Sequence, residues 1–241
     1  MKTSDRGIAF IVSHEGVVPA PYFDSAGVLT FGVGHTAAAG APDPADLPRG
    51  MPADLDAALR DVFAVFRRDL ARYEADVGKA LGNTPVQQHE FDAAVSFHLN
   101  TGAIGRAAWV DLWRRGRKTD AAASMLANWR RPPEIIGRRT AERDLFLTGD
   151  YGRQTASVWN VNAAGKVIWK QAKRLSQSDI LVLMQDDHAA NPLIELQTVL
   201  KRLGIYKGRI DGIDGPLTQA ALTAFNAISA DVSAWQKQLE N

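Results

Sequence analysis

The residues best suited to chemistry lie near the N-terminus, in the segment HEGVVPAPYFDSAGVLTFGVGHT that begins at His14. This segment holds two carboxylic residues, Glu15 and Asp24, and the hydroxyl of Thr30. Two carboxyl groups that differ in protonation can cleave a glycosidic bond, because one protonates the leaving oxygen and the other acts on water or on the developing cation. Other reactions also use paired carboxylates, and the alternative is that Glu15 is a solvated helix-end residue and Asp24 an ordinary turn residue.

An apolar helix is predicted to position Glu15. Ile8, Ile11 and Val12 recur at helical spacing. Glu15 falls on the same inward face in the last turn, and Gly16 is expected to end the helix. Burial and the negative end of the helix dipole both disfavour a charged carboxylate, so we expect a raised pKa for Glu15, as a general acid requires.

Asp24 is predicted to lie on a hairpin. It precedes a Ser-Ala-Gly turn between two short apolar runs, residues 22–23 and 28–31, which are typical of antiparallel strands. In this wetter position Asp24 is expected to remain ionised beside the general acid.

The order and spacing of these residues resemble a known family. Eight residues separate Glu15 from Asp24, five separate Asp24 from Thr30, and FGVGHT follows. This pattern resembles the catalytic signature of the phage-type lysozymes, glycoside hydrolase family 24. The resemblance implies that Glu15 is the general acid, that Asp24 acts on the water side, and that Thr30 helps to place the attacking water.

The family resemblance also implies the fold class, which is α+β and mainly α. We expect a two-lobed, lysozyme-like catalytic domain with a small β-hairpin lobe, and a groove between the lobes for the sugar chain. A helical stripe from Leu55 to Val77 predicts the helix that joins the lobes. Thr84-Pro85 is predicted to open the next helix, and shorter helices are expected over 109–115 and 119–129.

A second family-like block begins at Gln87 and ends with Asn100-Thr101-Gly102. Asn100 is a candidate substrate-binding residue, although an Asn that ends a helix also has a structural explanation. The family commonly shows a Ser-Thr pair shortly afterwards, where this chain has Ala107-Ala108.

The third family-like block, GRRTAERDLFLTG, covers residues 137–149. In the family an Arg of this block lies against the catalytic Glu, so Arg138 and Arg139 are further candidates for the substrate site. Such an Arg would lower the pKa of Glu15 and oppose the effect of burial. The alternative for one of the two is an ion pair with Glu142 on its own helix.

The remaining polar residues give no sign of a cofactor. The five His are scattered without metal-ligand spacing, and Cys is absent, so neither a metal site nor a cofactor is expected. His35, in GVGHT, is interpreted as a structural hydrogen-bonding group rather than a catalytic one.

Charge and hydropathy bear on partners and location. A net charge of +1 argues against nucleic acid as a partner. Basic residues do cluster between Arg106 and Arg143, either as solvated helix faces or as a surface for an anionic polymer. No apolar run is long enough to insert in a membrane, and no secretory signal is recognised. We expect a monomer made in the cytoplasm, which reaches the cell wall with the help of a holin or another export helper.

The residue pattern changes in the C-terminal third of the chain. Alternating residues around Gly165 predict a hairpin, Ser176 to Leu183 a short helix, and Leu193 to Ile228 two amphipathic helices. The last region resembles the peptidoglycan-binding type 1 module, with Asn226 where that family usually has Gln. We therefore expect a catalytic domain at 1–150, an accessory hairpin or linker at 151–175, and a helical module at 176–241. Asp211 and Asp214 suggest a turn rather than a calcium loop.

The two resemblances agree on bacterial peptidoglycan as the substrate and partner. They predict a muramidase of the endolysin type that hydrolyses the β-1,4 bond between N-acetylmuramic acid and N-acetylglucosamine. Two alternatives are a lytic transglycosylase, which uses a single acid and no water, and a wall-binding protein without activity.

Overall fold

The computed structural model describes residues 1–185, 192–208 and 216–239. The helices in these ranges are α1 (Asp5–Ser13), α2 (Leu55–Leu81), α3 (Gln88–Thr101), α4 (Ala108–Arg114), α5 (Lys118–Asn128), α6 (Ile136–Thr148), α7 (Gln177–Gln185), α8 (Pro192–Arg202) and α9 (Pro216–Leu239). The strands are β1 (Gly16–Phe23), β2 (Leu29–Gly32), β3 (His35–Thr36), β4 (Thr155–Val161) and β5 (Val167–Ser176). The fold is mixed α+β and mainly helical, as predicted.

Helix α1 ends earlier than the sequence suggested. Ser4 caps its N-terminus by accepting the Gly7 N–H at 3.0 Å, and His14 is the C-cap. The prediction that Glu15 lies in the last helical turn is wrong, and so is the role given to Gly16. Gly16 begins β1 because it is already paired with β4. Glu15 therefore lies in the short connection between α1 and β1.

The hairpin lobe is formed by one five-stranded sheet with the strand order β3-β2-β1-β4-β5. Strands β1 and β2 form the predicted antiparallel hairpin, and β4 and β5 form a second one. Strand β4 pairs in parallel with the start of β1. The second hairpin, expected as a linker at 151–175, is therefore part of this sheet, because it covers the edge of β1 whose backbone groups would otherwise lack partners.

Helices α1 to α7 share one large apolar core. Its fully buried members include Leu59 and Leu70 of α2, Phe97 of α3 and Phe146 of α6. Helix α3 begins later than predicted, because Gln87 and Glu90 form a capping box there.

Thr84 does not cap α3. Its hydroxyl instead donates to the Leu81 carbonyl at the end of α2, at 2.7 Å.

Helix α7 belongs to the main core rather than to the C-terminal module. Ile180 and Leu183 are buried in the same apolar cluster as α1 and α2. A domain boundary at Ser176, as expected from the sequence, would therefore separate α7 from the residues that bury it. Apolar contacts, rather than position along the chain, decide which unit a helix belongs to.

Helices α8 and α9 form a small separate core of Leu200, Tyr206 and Ala221. Gln197 donates to the Thr218 hydroxyl at 2.9 Å between the two helices. The prediction of two amphipathic helices is only partly correct, because three apolar side chains of this region are exposed: Leu203, Leu217 and Phe225.

The loop expected after Gln185 lies, except for Pro192, outside the described residues, as does the turn with Asp211 and Asp214. Across the part of the chain that the structure describes, no helix combines the length and hydropathy needed to cross a membrane.

Candidate active site

The first hairpin places Asp24 and Thr30 at the two sides of its turn. Asp24 Oδ1 accepts the N–H groups of Ala26 and Val28, at 2.9 and 2.8 Å, which fixes the orientation of this partly exposed carboxylate. Thr30 is buried and donates its hydroxyl proton to the Val28 carbonyl at 3.0 Å. Its oxygen therefore remains an acceptor for a further donor, such as a water molecule.

Glu15 is held by an arginine from the helical lobe. The Arg138 guanidinium donates from Nη1 to Glu15 Oε1 at 2.5 Å, and 30% of the Glu15 side chain is exposed. The same guanidinium donates from Nε to Glu142 at 3.0 Å and from Nη2 to the Ser96 carbonyl at 3.2 Å. Of the two arginines proposed from the sequence, Arg138 is thus the one that touches Glu15.

Glu142 is the centre of a buried charge network that the sequence analysis treated only as a possible local ion pair. Its side chain is fully buried and contacts both Arg138 and Arg139, while the Ser96 hydroxyl donates to it at 2.6 Å. Burial raises the pKa of Glu142, and the two guanidiniums and Ser96 oppose that rise. The three charged side chains together carry a net charge of +1 beside Glu15.

Arg139 connects this network to Asn100. It donates from Nη2 to Asn100 Oδ1 at 2.6 Å and from Nε to the Trp129 carbonyl at 3.1 Å. Since its side chain is fully buried, Arg139 is badly placed for the sugar contact expected from the sequence. Asn100 is exposed, and with its carbonyl oxygen engaged, its amide NH₂ is free to donate elsewhere.

Two further residues of the site carry perturbed pKa values. Burial raises the pKa of Tyr22 to about 12, and the charges of Asp24 and Glu15 add to the rise, so both carboxyl groups act on one hydroxyl. Burial lowers the pKa of His14 to about 4, and Arg138 and Arg139 lower it further, which keeps this imidazole neutral. The sequence offered one signal for these residues: each lies within two positions of a proposed catalytic carboxylate.

The sequence is also similar to those of known proteins. Residues 12–142 match the family model described as phage lysozyme, which covers more than half of the chain. The chain belongs to the phage lysozyme family. Similar proteins include the endolysin of Salmonella phage P22, which is 31% identical over 153 residues, or 61% of this chain and 99% of that protein.

Two solved structures of phage proteins have a similar fold. The endolysin from Escherichia coli O157:H7 phage FAHEc1 is 28% identical, with a TM-score of 0.52 over 63% of this chain and 97% of that one. A point mutant of P22 lysozyme is 26% identical, with a TM-score of 0.50 over 61% and 99%. Residues 190–227 match a second model, described as a putative peptidoglycan binding domain. This phage lysozyme is thus a peptidoglycan-hydrolysing enzyme.

His35 has a structural environment in this phage lysozyme. It is buried, with Nδ1 2.7 Å from Asp69 Oδ2 and Nε2 2.7 Å from the Pro42 carbonyl. Burial lowers its pKa, but the hydrogen bonds to Asp69 and Pro42 outweigh burial and leave the pKa raised. Both acceptors are satisfied only by the doubly protonated ring, which fits the structural interpretation.

The clustered basic residues mostly have local acidic neighbours. Arg114 pairs with Asp111 and Arg117 with Asp120, each on one exposed helix face. These pairs agree with the interpretation of solvated helix faces for this part of the cluster, whereas Arg138 and Arg139 are buried. Among the residues described by the structure, no group of three His, Cys, Asp or Glu side chains could hold a metal ion.

Proposed function

We propose that this phage lysozyme hydrolyses the β-1,4 bond between N-acetylmuramic acid and N-acetylglucosamine, with Glu15 as general acid. The observation that supports this role best is the position of Glu15 between the lobes. Its carboxyl group is partly exposed and held on one oxygen by Arg138, and Glu15 and Asp24 both raise the pKa of Tyr22. The other oxygen, Oε2, is then available to protonate the leaving sugar oxygen.

Glu142 helps to fix the arginine that holds Glu15. The Arg138 guanidinium donates to Glu15, to the buried Glu142 and to the Ser96 carbonyl, so its orientation toward Glu15 is constrained. We infer that Arg138 and Arg139 position Glu15 and Asn100, and that Asn100 supplies the contact to the sugar.

Asp24 and Thr30 act on the water side in this proposal. The two backbone N–H groups orient the Asp24 carboxylate, and the Thr30 oxygen accepts from the water that Asp24 activates. Direct attack by water inverts the anomeric centre and needs carboxyl groups roughly 6.5–9.5 Å apart. NMR of the new reducing end decides this point, since early appearance of the retained anomer would indicate a covalent intermediate.

Mass spectrometry of muropeptides released from purified sacculi tests the reaction itself. Hydrolysis yields reducing N-acetylmuramic ends, whereas the alternative, a lytic transglycosylase, yields anhydro ends. Glu15→Gln should lower the rate on the order of a hundredfold to ten-thousandfold, because the amide keeps the shape and loses the transferable proton. Glu134→Gln, at an exposed position near α6, is the matched control. Activity of Glu15→Gln within a few-fold of wild type would remove Glu15 from the mechanism.

The C-terminal helices are proposed to attach the enzyme to the wall. We divide the chain after Gln185 rather than at Ser176, because α7 is buried in the main core. A fragment ending at Gln185 should match the full chain on soluble glycan fragments and fall behind on intact sacculi, since tethering raises the local concentration of the groove at an insoluble substrate. A fragment that also lacks α7 should be markedly less stable. Equal sedimentation of the Gln185 fragment and the full chain with sacculi would contradict the attachment role.

We further propose that the enzyme is a monomer made in the cytoplasm and that a holin or another helper gives it access to the wall. The oligomeric state is measurable by sedimentation equilibrium. Access is measurable by expressing the chain alone and with a holin, where lysis is expected only with the helper.

A further inference from the structure

The β4–β5 hairpin lies outside the stretch that matches the phage lysozyme family, and it borders both ends of β1. At the first end, Trp159 Nε1 lies 3.2 Å from the position that a Cβ on Gly16 would occupy, next to the proposed general acid. At the second end, the Phe23 N–H donates to the Gly165 carbonyl at 2.9 Å, one residue before Asp24. The added hairpin thus contacts the residues next to Glu15 and Asp24 in the chain.

Trp159 lies on the same face of the sheet as Thr30. Tyr22 pairs with Thr30 across the antiparallel ladder, and directly paired residues share a face. Tyr22 and Trp159 pack against one apolar cluster, which includes Val18 of β1 and Val161 of β4. The face that presents Thr30 and Tyr22 therefore continues across β1 onto the added hairpin.

A β-bulge directs a second indole onto this face. Two consecutive residues of β5, Trp169 and Lys170, have no pairing partner on β4. The Asn160 side chain donates to the Lys170 carbonyl at 2.7 Å. Trp169 is 79% exposed, and its ring meets Trp159 edge to face with centroids 5.4 Å apart. Bulges beside active sites commonly redirect a side chain, and the two contacting indoles form an apolar surface patch rather than a single scattered residue.

We propose that Trp159 and Trp169 form a glycan-binding platform that extends the catalytic groove along the saccharide strand. The C–H faces of pyranose rings are apolar and fit flat against an indole, whose ring is a large and rigid contact surface. Lys166 and Lys170 are exposed at its edge and suit the carboxylates of peptidoglycan. This platform rests on the proposed function, because its ligand is a more distant part of the same substrate.

Full-length Trp169→Ala tests the platform by steady-state kinetics on soluble peptidoglycan glycan strands freed of stem peptides. Loss of a contact that buries roughly 60 Å² of indole corresponds to about a tenfold rise in KM. The change in kcat should be smaller, and Trp169→Phe should restore most of the affinity. Ile168→Ala is the matched control, because Ile168 is also exposed, lies on the opposite face of the same strand and should not alter KM.

Binding without turnover separates this proposal from the proposed function. In the Glu15→Gln background, titration with the same glycan strands should change the tryptophan fluorescence, and Trp169→Ala should weaken that binding about tenfold. Unchanged KM and unchanged binding in a folded Trp169→Ala variant overturn the platform while hydrolysis stands. Conversely, binding through Trp169 by a wild-type chain that releases no muropeptides supports the platform and removes the proposed function.

Discussion

Glu142→Gln is the substitution with the largest expected effect outside the catalytic residues. Glu142 is fully buried, and it is the counter-ion of two guanidiniums and the acceptor of the Ser96 hydroxyl. Gln has nearly the same volume but no charge, and its NH₂ group would face an arginine donor. Removal of one member of a buried ion cluster typically costs about 3–5 kcal/mol of unfolding free energy, because the remaining charge is left uncompensated.

Urea unfolding followed by tryptophan fluorescence measures this loss. In a chain of this length it corresponds to a fall in Tm of roughly 10 °C. Glu134→Gln, which removes a charge from an exposed site, should change the unfolding free energy by less than about 0.5 kcal/mol. Glu142→Asp keeps the charge and should recover part of the stability.

The catalytic rate provides a second readout of Glu142→Gln. Without the buried carboxylate, the Arg138 guanidinium loses a partner that fixes its orientation toward Glu15. The kcat on soluble glycan fragments should therefore fall under conditions in which the variant is folded. If Glu142→Gln unfolds within about 1 kcal/mol of wild type and keeps the wild-type kcat, the buried network does not support Glu15.

Two further predictions concern stability. The pKa of His35 is raised in the folded protein. The pair with Asp69 therefore stabilises the fold fully at pH values below the unfolded pKa of about 6.5, and this stabilisation is lost as pH rises through the folded pKa. The difference in unfolding free energy between wild type and His35→Gln should shrink from pH 6 to pH 9, and a constant difference would contradict the assignment. Gly7→Ala should destabilise by about 1–3 kcal/mol in thermal or urea unfolding, because the new Cβ would collide with the Asp92 carboxylate, whereas Gly78→Ala, with open space around it, should stabilise by up to about 1 kcal/mol.

The sequence by itself determined the proposed catalytic segment. Glu15, Asp24 and Thr30 lie within sixteen consecutive residues, and a tight turn with two short strands fixes their order without help from distant segments. The long helix α2 was likewise predictable, because its apolar stripe repeats at 3.6 residues. Helix α6 was indicated only by the family-like block at 137–149, because much of its buried face is charged. The spacing of Glu142 from Arg138 and Arg139 was visible as well, although not its burial.

Only the tertiary structure decided what surrounds that segment. Strand β4 pairs in parallel with β1 across more than a hundred residues of chain, and this pairing set the end of α1 and the position of Glu15. Glu142 became the centre of a charge network only because α3 brought Ser96 against α6. A local pattern records which face of an element is apolar, but the partner that covers the face is set by packing between elements far apart in sequence.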